Sequence, residues 1–339
     1  MTPVHGARPK VLLLGVIEHA HTAWASVAEI ADIIRPASTD RTSFLEEAAA
    51  GTFEGSIAAY RTFDSFDATG KVDAELLDAL PRSIRFICHN GAGYDQVDVQ
   101  ACTARCIRVS NTPTAVDDAT ADIAIFLMLG AMRNLGVGMA ALRAGEWRGV
   151  NAPALGHDPQ GKVLGILGMG GIGRNMAKKA LAFGMKIRYH NRTRLDAGVE
   201  DELGVKYVAF DELLAGSDVL SVNLPLNKNT RHIISEREFA KMKKGIVMVN
   251  TARGAVIDEA ALVEALASGQ VSSAGLDVYE QEPSVHPGLL SNPRVILVPH
   301  MGTWTVETET KMEEWAISNI RLAIETGKLR SIVPEQRDM

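Results

Sequence analysis

The sequence predicts an α/β protein with two domains, each built on a parallel sheet. Short runs rich in β-branched residues alternate with helical patterns along the whole chain, which is the pattern of βαβ units. The chain has 339 residues, and a domain usually has about 100–200 residues. Hydrophobic residues make up 46% and charged residues 22%, so a chain of this length and ordinary globular composition can bury a sizeable core.

The first part of the chain carries four predicted strands and two predicted helices. We expect the strands at 11–15, 56–60, 84–89 and 107–110, and the helices at 42–51 and 74–80. A long helix with a broad apolar face begins near Asp117. Another helix runs to about Gly145 and is followed by a loop at 146–160 that is rich in glycine and proline.

The second part of the chain has a cleaner alternation. Buried strands are expected at 162–168, 186–190, 218–224, 245–250, 273–278 and 295–298. Helices are expected at 172–183, 236–241 and 259–268, with a last helix at 306–325. This series predicts a second parallel sheet with helical crossovers.

Composition and charge argue against several classes of protein. There are 35 basic and 41 acidic residues, a formal charge of −6 with no long run of either sign, which disfavours a nucleic-acid partner. No apolar stretch approaches the roughly 18 residues of a membrane span, and the first ten residues are polar, unlike a signal peptide. Cys88, Cys102 and Cys106 have no partner pattern of a metal site and fit a reducing compartment. We therefore expect a cytoplasmic protein that needs no metal.

A glycine-rich turn gives the most specific local signal. The segment Gly168-Met169-Gly170-Gly171-Ile172-Gly173 follows an apolar strand and opens a helix, which is the context that a dinucleotide-binding fingerprint requires. Gly168 permits the tight turn, Gly170 lets the backbone approach a diphosphate, and Gly173 lets the helix pack on the strand. The N–H groups at the helix start favour the phosphates. The context favours a Rossmann-type nucleotide site over a merely glycine-rich turn.

The next strand ends in the segment Asn191-Arg192-Thr193-Arg194. An NAD site usually has Asp or Glu about 20 residues beyond the fingerprint, where the carboxylate binds the ribose 2′-OH. No acid occupies this strand end, since Asp196 comes later. Two arginines and a threonine suit a 2′-phosphate, and Asn191 does not repel one. The segment favours NADP(H) over NAD(H), and the alternative interpretation is a solvated basic loop.

Three other segments that follow predicted strands suit acid–base chemistry on an anion. The planar fork of Arg253 can grip a carboxylate and polarise a carbonyl, unless Arg253 is a surface residue. His300 is of the natural acid–base type near neutral pH, although a lone histidine is more often structural. The loop 90–93 leaves N–H groups accessible to an anion, and a plain turn is its alternative. Trp304 either lines the same site as His300 or packs in the core.

Six segments resemble the D-isomer-specific 2-hydroxyacid dehydrogenase family, in particular its glyoxylate/hydroxypyruvate reductase branch. They run in family order: Asn90-Gly91-Ala92-Gly93-Tyr94-Asp95, Asn111-Thr112-Pro113, Gly168–Gly173, Asn250-Thr251-Ala252-Arg253-Gly254, Gly275-Leu276-Asp277-Val278-Tyr279-Glu280-Gln281-Glu282-Pro283 and Pro299-His300-Met301-Gly302. The resemblance implies two Rossmann-like domains with the active site in the cleft between them. Residues 1–112 plus 301–339 form a flavodoxin-like substrate domain, and 113–300 form an inserted NAD(P)-binding domain. It also implies a homodimer through the nucleotide-binding domain.

The resemblance also implies a reaction and the residues that carry it. A hydride from NAD(P)H reduces a 2-oxo acid to the D-2-hydroxy acid, with Arg253, Glu282 and His300 as catalytic residues. His300 supplies the proton, and the Glu282 carboxylate favours and orients its imidazolium form. The amides of Ala92 and Gly93 hold the substrate carboxylate together with Arg253, which also stabilises the developing negative oxygen.

The resemblance implies two further cofactor-binding residues, and it does not determine which side chain the preferred substrate carries. Thr251 and Asp277 join the cofactor-binding residues, with Asp277 contacting the nicotinamide carboxamide. Glyoxylate and hydroxypyruvate are the expected substrates, with bulkier branched or aromatic 2-oxo acids as alternatives. A long-type phosphoglycerate dehydrogenase is disfavoured by length, and a formate dehydrogenase by the Glu–His pair. The alternative function from outside the enzymes is an NAD(H)-sensing transcriptional corepressor, which has the same fold.

Overall fold

The computed structural model describes residues 8–147 and 154–338. These residues form two compact units, of which one contains the described residues up to Val116 and those from Thr305 on, and the other is Asp117–Trp304. The polar segment 1–7 and part of the predicted loop 146–160 lie outside the described residues.

The first unit is built on a five-stranded parallel sheet. Its strands are β1 (Lys10–Leu14), β2 (Asp32–Ile34), β3 (Ser56–Thr62), β4 (Phe86–Asn90) and β5 (Arg108–Ser110). Between them lie α1 (His21–Ala28), α2 (Arg41–Ala49), α3 (Phe66–Thr69), α4 (Ala74–Ala79) and α5 (Val99–Ala104). The sheet order is β2-β1-β3-β4-β5, which is the flavodoxin-like order that the sequence predicts for this part of the chain.

The second unit begins with two helices and continues as a seven-stranded parallel sheet. The helices that precede the sheet are α6 (Asp117–Met132) and α7 (Leu135–Arg143). The elements that follow are β6 (Val163–Leu167), α8 (Gly171–Ala182), β7 (Lys186–His190), α9 (Ala197–Leu203), β8 (Val205–Tyr207), α10 (Phe210–Gly216), β9 (Val219–Val222), α11 (Glu236–Phe239), β10 (Ile246–Asn250), α12 (Glu259–Ala267), β11 (Val271–Leu276), α13 (Pro287–Leu290) and β12 (Val295–Leu297). Residues Gly254–Val256 form a 3₁₀ turn after β10.

The strand order of the second unit places a switch point at its centre. The order is β12-β11-β10-β9-β6-β7-β8, so β6 pairs with β7 on one side and with β9 on the other. In open parallel sheets, ligands bind beyond the carboxyl ends of the strands at such a point. The strand order therefore reverses beside β6, where the glycine-rich turn leaves the sheet, as in a doubly wound nucleotide-binding fold.

A last helix, α14 (Val306–Thr326), completes the first unit, and a short 3₁₀ turn, Pro334–Gln336, follows it. The α14 residues Ala316, Ile317 and Ile320 are buried in the same cluster as the apolar side chains of β1 and β3. Every residue of β4 and of β10 is buried, as expected for parallel strands with both faces covered. Among the described residues no single helix is long and apolar enough to span a membrane, and α6 with α7 passes that test only as a pair bent by 77°.

Candidate active site

Three neighbouring strands of the second unit end at one edge of the sheet and carry the predicted reactive groups. Leu276 at the end of β11 pairs with Asn250 of β10 and with Leu297 of β12. Because all three strands are parallel, the segments that follow them emerge side by side. These segments contain Arg253, Asp277 and His300, three of the residues singled out from the sequence.

His300 and Glu282 form a hydrogen-bonded pair. His300 Nδ1 lies 2.8 Å from Glu282 Oε2, and the exposed fractions of the two side chains are 34% and 24%. The other oxygen of Glu282 accepts the N–H of Tyr279 at 2.9 Å. Burial opposes ionisation of Glu282, but the hydrogen bond and charge of His300 outweigh it and hold the pKa of this carboxyl below its usual value. The pair is therefore a carboxylate that supports an imidazole.

The turn that carries His300 is built around Asp277. The N–H of His300 donates to the Asp277 carbonyl at 2.8 Å, while the Asp277 carboxylate accepts the N–H of Met301 at 2.5 Å and that of Gly302 at 2.8 Å. Asp277 is 1% exposed, and this burial raises the pKa of its carboxyl. His300 has a φ of +53°, a conformation that non-glycine residues rarely adopt. These bonds to Asp277 fix the imidazole in place.

The turn that carries Arg253 is fixed by Asn250, which the sequence did not single out. Asn250 accepts the N–H of Ala252 and donates to the carbonyl of Arg253, both at 3.0 Å. Arg253 is half-buried and donates from Nη1 to the carbonyl of Ala252 at 2.8 Å. A Cβ at Gly254 would lie 1.8 Å from the Tyr279 carbonyl carbon, so only glycine lets this turn lie against the segment that leads to Glu282.

The glycine-rich turn has the shape of a diphosphate cradle. Gly168 has a φ of +102°, and a Cβ there would lie 2.5 Å from the carbonyl oxygen of Asn223. A Cβ at Gly173 would lie 2.3 Å from the Gly168 carbonyl oxygen, whereas one at Gly170 would meet nothing within 4 Å. The N–H groups of the first turn of α8 have no acceptor within the helix. The residues fit a dinucleotide, since the backbone is open at Gly170 and the N–H groups that start α8 face no acceptor within the helix.

Met169 and Asn191 join this turn to the end of β7. Met169 is 1% exposed and belongs to the core of the second unit, while its N–H donates to Asn191 Oδ1 at 2.6 Å. Of Met169, only the backbone therefore lies in the cradle. Asn191 holds the glycine turn from the position where an acid usually stands in NAD sites.

The residues of the basic segment after β7 differ in whether protein groups bind their side chains. Arg192 and Thr193 are exposed. Arg194 donates from Nε and Nη2 to the two oxygens of Glu200, at 2.9 and 2.6 Å, and its guanidinium lies over the ring of Tyr207. The hydrogen bond with Arg194, followed by that from Tyr189, lowers the pKa of Glu200 to about 2. Glu200, which the sequence did not reveal, thus balances one of the two predicted phosphate-binding charges.

In the first unit, the loop after β4 turns its carbonyl groups toward protein donors. The Gly91 carbonyl accepts the N–H of Thr112 at 2.9 Å, and the Ala92 carbonyl accepts Asn111 Nδ2 at 2.8 Å. The N–H groups of Ala92 and Gly93 donate to no group within residues 8–147 or 154–338. Successive amides that face no acceptor in the described chain are the arrangement that anion-binding turns use.

Two other predicted residues have contrasting surroundings. Thr251 is 7% exposed, and its hydroxyl has no hydrogen-bond partner in the described part of the chain. Trp304 is 69% exposed, so it does not pack in the core of the second unit.

Within the described ranges, no group of three or more His, Cys, Asp or Glu side chains is arranged to hold a metal ion.

Comparison with known proteins gives consistent matches. Residues 125–302 match the family model of the D-isomer specific 2-hydroxyacid dehydrogenase NAD-binding domain. The chain is 56% identical to 4-methyl-2-oxopentanoate reductase A of Aspergillus oryzae, over 98% of this chain and 99% of that protein. It is 55% identical to the crystal structure of a glyoxylate reductase from Paecilomyes thermophila, with a TM-score of 0.94 and coverage of 98% and 100%.

A third similar protein has been solved with a nucleotide. It is an NADPH-dependent glyoxylate/hydroxypyruvate reductase of Sinorhizobium meliloti in complex with NADP and malonate. The identity is 31%, the TM-score is 0.84, and the match covers 97% of this chain and 98% of that one. All three proteins are reductases by name, and none is a corepressor.

Proposed function

The chain belongs to the D-isomer-specific 2-hydroxyacid dehydrogenase family, and from this premise we propose that it reduces 2-oxo acids to D-2-hydroxy acids with NADPH as its preferred reductant. It is an NAD(P)H-dependent 2-hydroxyacid dehydrogenase of the glyoxylate reductase branch. The observation that carries the proposal is the pair of His300 and Glu282, set beside Arg253 at the carboxyl edge of a nucleotide-binding sheet.

We assign the proton transfer to His300. When bound, the reduced nicotinamide supplies a hydride to the carbonyl carbon of the 2-oxo acid, and the carbonyl oxygen then needs a proton. Because Nδ1 faces Glu282 at 2.8 Å, the proton is delivered from Nε2. Glu282 stabilises the imidazolium form before transfer and fixes the ring, as a buried carboxylate does in other acid–base pairs.

Arg253 and the loop after β4 are assigned to the substrate anion. Arg253 offers a planar fork of donors that suits a carboxylate, and its charge stabilises the negative oxygen that develops during reduction. The unpaired N–H groups of Ala92 and Gly93 supply donors for the substrate carboxylate.

We assign the NADPH preference to Arg192 and Thr193. Asn191 stands where an acid would repel a 2′-phosphate, and both neighbours are exposed. Arg194 is occupied by Glu200, so Arg192 supplies the main positive charge. Gly168–Gly173 cradle the diphosphate, and Thr251 and Asp277 are assigned to the nicotinamide side.

The two compact units are proposed to be the substrate domain and the inserted nucleotide-binding domain. We further propose a cytoplasmic homodimer formed through the second unit. Within residues 126–147 of this unit, five large apolar side chains are 46–78% exposed, and a second copy of the same surface would cover them. They are Phe126, Leu135, Met139, Leu142 and Trp147. Light scattering of the full chain and of Leu142→Glu tests the dimer, which the charged substitution is expected to dissociate.

A substrate panel tests the function. The full chain is assayed for NADPH and NADH oxidation with glyoxylate, hydroxypyruvate, 4-methyl-2-oxopentanoate and phenylglyoxylate. We expect steady turnover with at least one of them, and the exposed Trp304 suits an apolar substrate side chain. Nucleotide binding without turnover of any 2-oxo acid would instead favour a sensing role.

A further inference from the structure

The largest fully buried side chain in the described residues is a cation. Arg61, in β3, is 0% exposed, and burial lowers its pKa to about 10, so the guanidinium is still charged at neutral pH. Its hydrogen-bond partners are neutral: His89 Nδ1 at 3.3 Å and Gln96 Oε1 at 2.8 Å. The charge of Asp95 acts on the Arg61 guanidinium through its field and raises the pKa of that group. A buried charge without a bonded counterion is costly, so its position calls for a function.

The contact with Arg61 determines the tautomer of His89. A guanidinium can only donate hydrogen bonds, so His89 Nδ1 accepts and the imidazole is neutral. The proton therefore lies on Nε2, which donates to the carbonyl of Gly93 at 3.0 Å. A Cβ at Gly91 would lie 2.6 Å from this Nε2, so glycine is needed there for the ring to pack under the loop.

The hydrogen bonds from Arg61 to His89 and from His89 to the Gly93 carbonyl orient a third amide of the loop after β4. In a trans peptide the C=O and N–H groups point in opposite directions. The carbonyls of Gly91, Ala92 and Gly93 are all bound by protein donors, so the N–H groups of the next residues, Ala92, Gly93 and Tyr94, point away from them. The N–H of Tyr94, like the other two, has no acceptor in the part of the chain that the structure describes.

We propose that Arg61 is a positioning residue and buried countercharge for the substrate carboxylate. Through His89 it fixes the Gly93 carbonyl and so directs the Tyr94 N–H as a third donor to the anion. Its charge lies under the same loop and favours an anion over a neutral ligand in a medium of low dielectric. This inference depends on the proposed role of the Ala92 and Gly93 amides.

The test is Arg61→Met, with Arg85→Met as the matched control. Arg85 is exposed and precedes β4 at the opposite edge of the same sheet. In Arg61→Met we expect KM for glyoxylate, and the inhibition constant of the anionic analogue oxamate, to rise by about 10–100-fold, the range of one charge-assisted hydrogen bond. The value of kcat should stay near that of wild type, because only binding common to ground and transition states is lost. Arg85→Met should keep both constants.

Thermal melting and NADPH binding are measured as controls, to show that each variant is folded. A methionine of similar length removes the buried charge but leaves the acceptors of His89 and Gln96 without their donor, so these two controls must show that Arg61→Met is folded before its kinetics are compared. Arg61→Gln keeps a donor for His89 without the charge, and it should show an intermediate KM. KM and oxamate inhibition within about twofold of wild type in folded Arg61→Met would overturn the inference. A wild-type chain that reduces no 2-oxo acid would instead contradict the proposed function.

Discussion

At the scale of single residues, the chemistry depends on how each reactive side chain is held. His300 has a carboxylate on one ring nitrogen, and three backbone hydrogen bonds to Asp277 hold the turn that carries it. The pattern Pro299-His300 indicated the residue, and the resemblance indicated Glu282. The role of Asp277 as the anchor of this turn depends on strand adjacency, which a linear sequence does not display.

His300→Ala is expected to lower kcat for reduction by about 10²–10⁴-fold, the usual contribution of a positioned general acid. His157→Ala is the control, because His157 is exposed and contacts none of the reactive groups in the described structure. Steady-state kinetics with NADPH measures both variants. A loss of less than about tenfold in a folded His300→Ala would remove His300 from the role of proton donor.

Glu282→Gln should change the pH dependence. Without the carboxylate the imidazolium form is less favourable, so the loss of reductase activity at high pH should begin at lower pH than in wild type. The lowered pKa of Glu282 also means that its contribution to stability is present above its ordinary pKa and is lost as pH falls through the lower folded value. That acid-side dependence should disappear in the amide variant. A kcat/KM profile that coincides with wild type would contradict the coupling.

Arg192→Ala should remove most of the preference for NADPH. One charge-assisted hydrogen bond contributes about 1.5–3 kcal/mol, which corresponds to a preference of about tenfold or more. The ratio of kcat/KM for NADPH and NADH is measured in wild type, in Arg192→Ala and in the control Lys206→Ala, whose side chain is exposed on β8. A wild-type ratio at or below one, or an unchanged ratio in Arg192→Ala, would reject this source of specificity.

At the scale of elements, the loop 280–286, which carries Glu282, is held by the start of α12. Glu259 accepts the N–H of Glu280 at 2.9 Å and that of His286 at 3.0 Å, so one carboxylate joins both ends of the loop that carries Glu282. A second His–Glu contact, between His232 and Glu280 at 2.6 Å, supports the same loop from outside. The loop is therefore positioned by groups that carry no chemistry themselves.

Glu259→Ala should lower both stability and activity. Two hydrogen bonds to a charged group are lost, so the free energy of unfolding should fall by up to about 3–6 kcal/mol, and kcat should fall because Glu282 is less well placed. Glu264→Ala is the control on the exposed face of the same helix. Denaturant unfolding and kinetics measure the two effects. Wild-type values for both in Glu259→Ala would show that the loop does not depend on this anchor.

Strands with continuous apolar runs could be predicted from the sequence, whereas three-residue strands and a helix without a local cap could not. The strands β6, β7 and β10 agree closely with their predicted ranges. The edge strands β2 and β8 have three residues each, too few for a period to emerge. The helix α1 was missed because its N-cap, Ala20, has no capping side chain, and Glu313 of α14 accepts its N–H instead. Such long-range caps are absent from any local pattern.

At the scale of the whole molecule, the fold class could be predicted from the alternation of strand and helix patterns, and the family and the reaction class from the order of six motifs. The substrate side chain could not, because it depends on which side chains surround the bound acid. The cofactor preference lies between these cases: the basic segment was visible in the sequence, but the occupation of Arg194 by Glu200 required the fold. Reduction of a 2-oxo acid to the D isomer is the claim on which all these assignments depend.

Chiral chromatography of the product tests that claim most directly. The full chain is incubated with NADPH and 4-methyl-2-oxopentanoate, a substrate that becomes chiral on reduction, and the 2-hydroxy acid is resolved against both isomers. The account predicts the D isomer alone, formed in step with NADPH consumption. Formation of the L isomer or of a racemic product would contradict it.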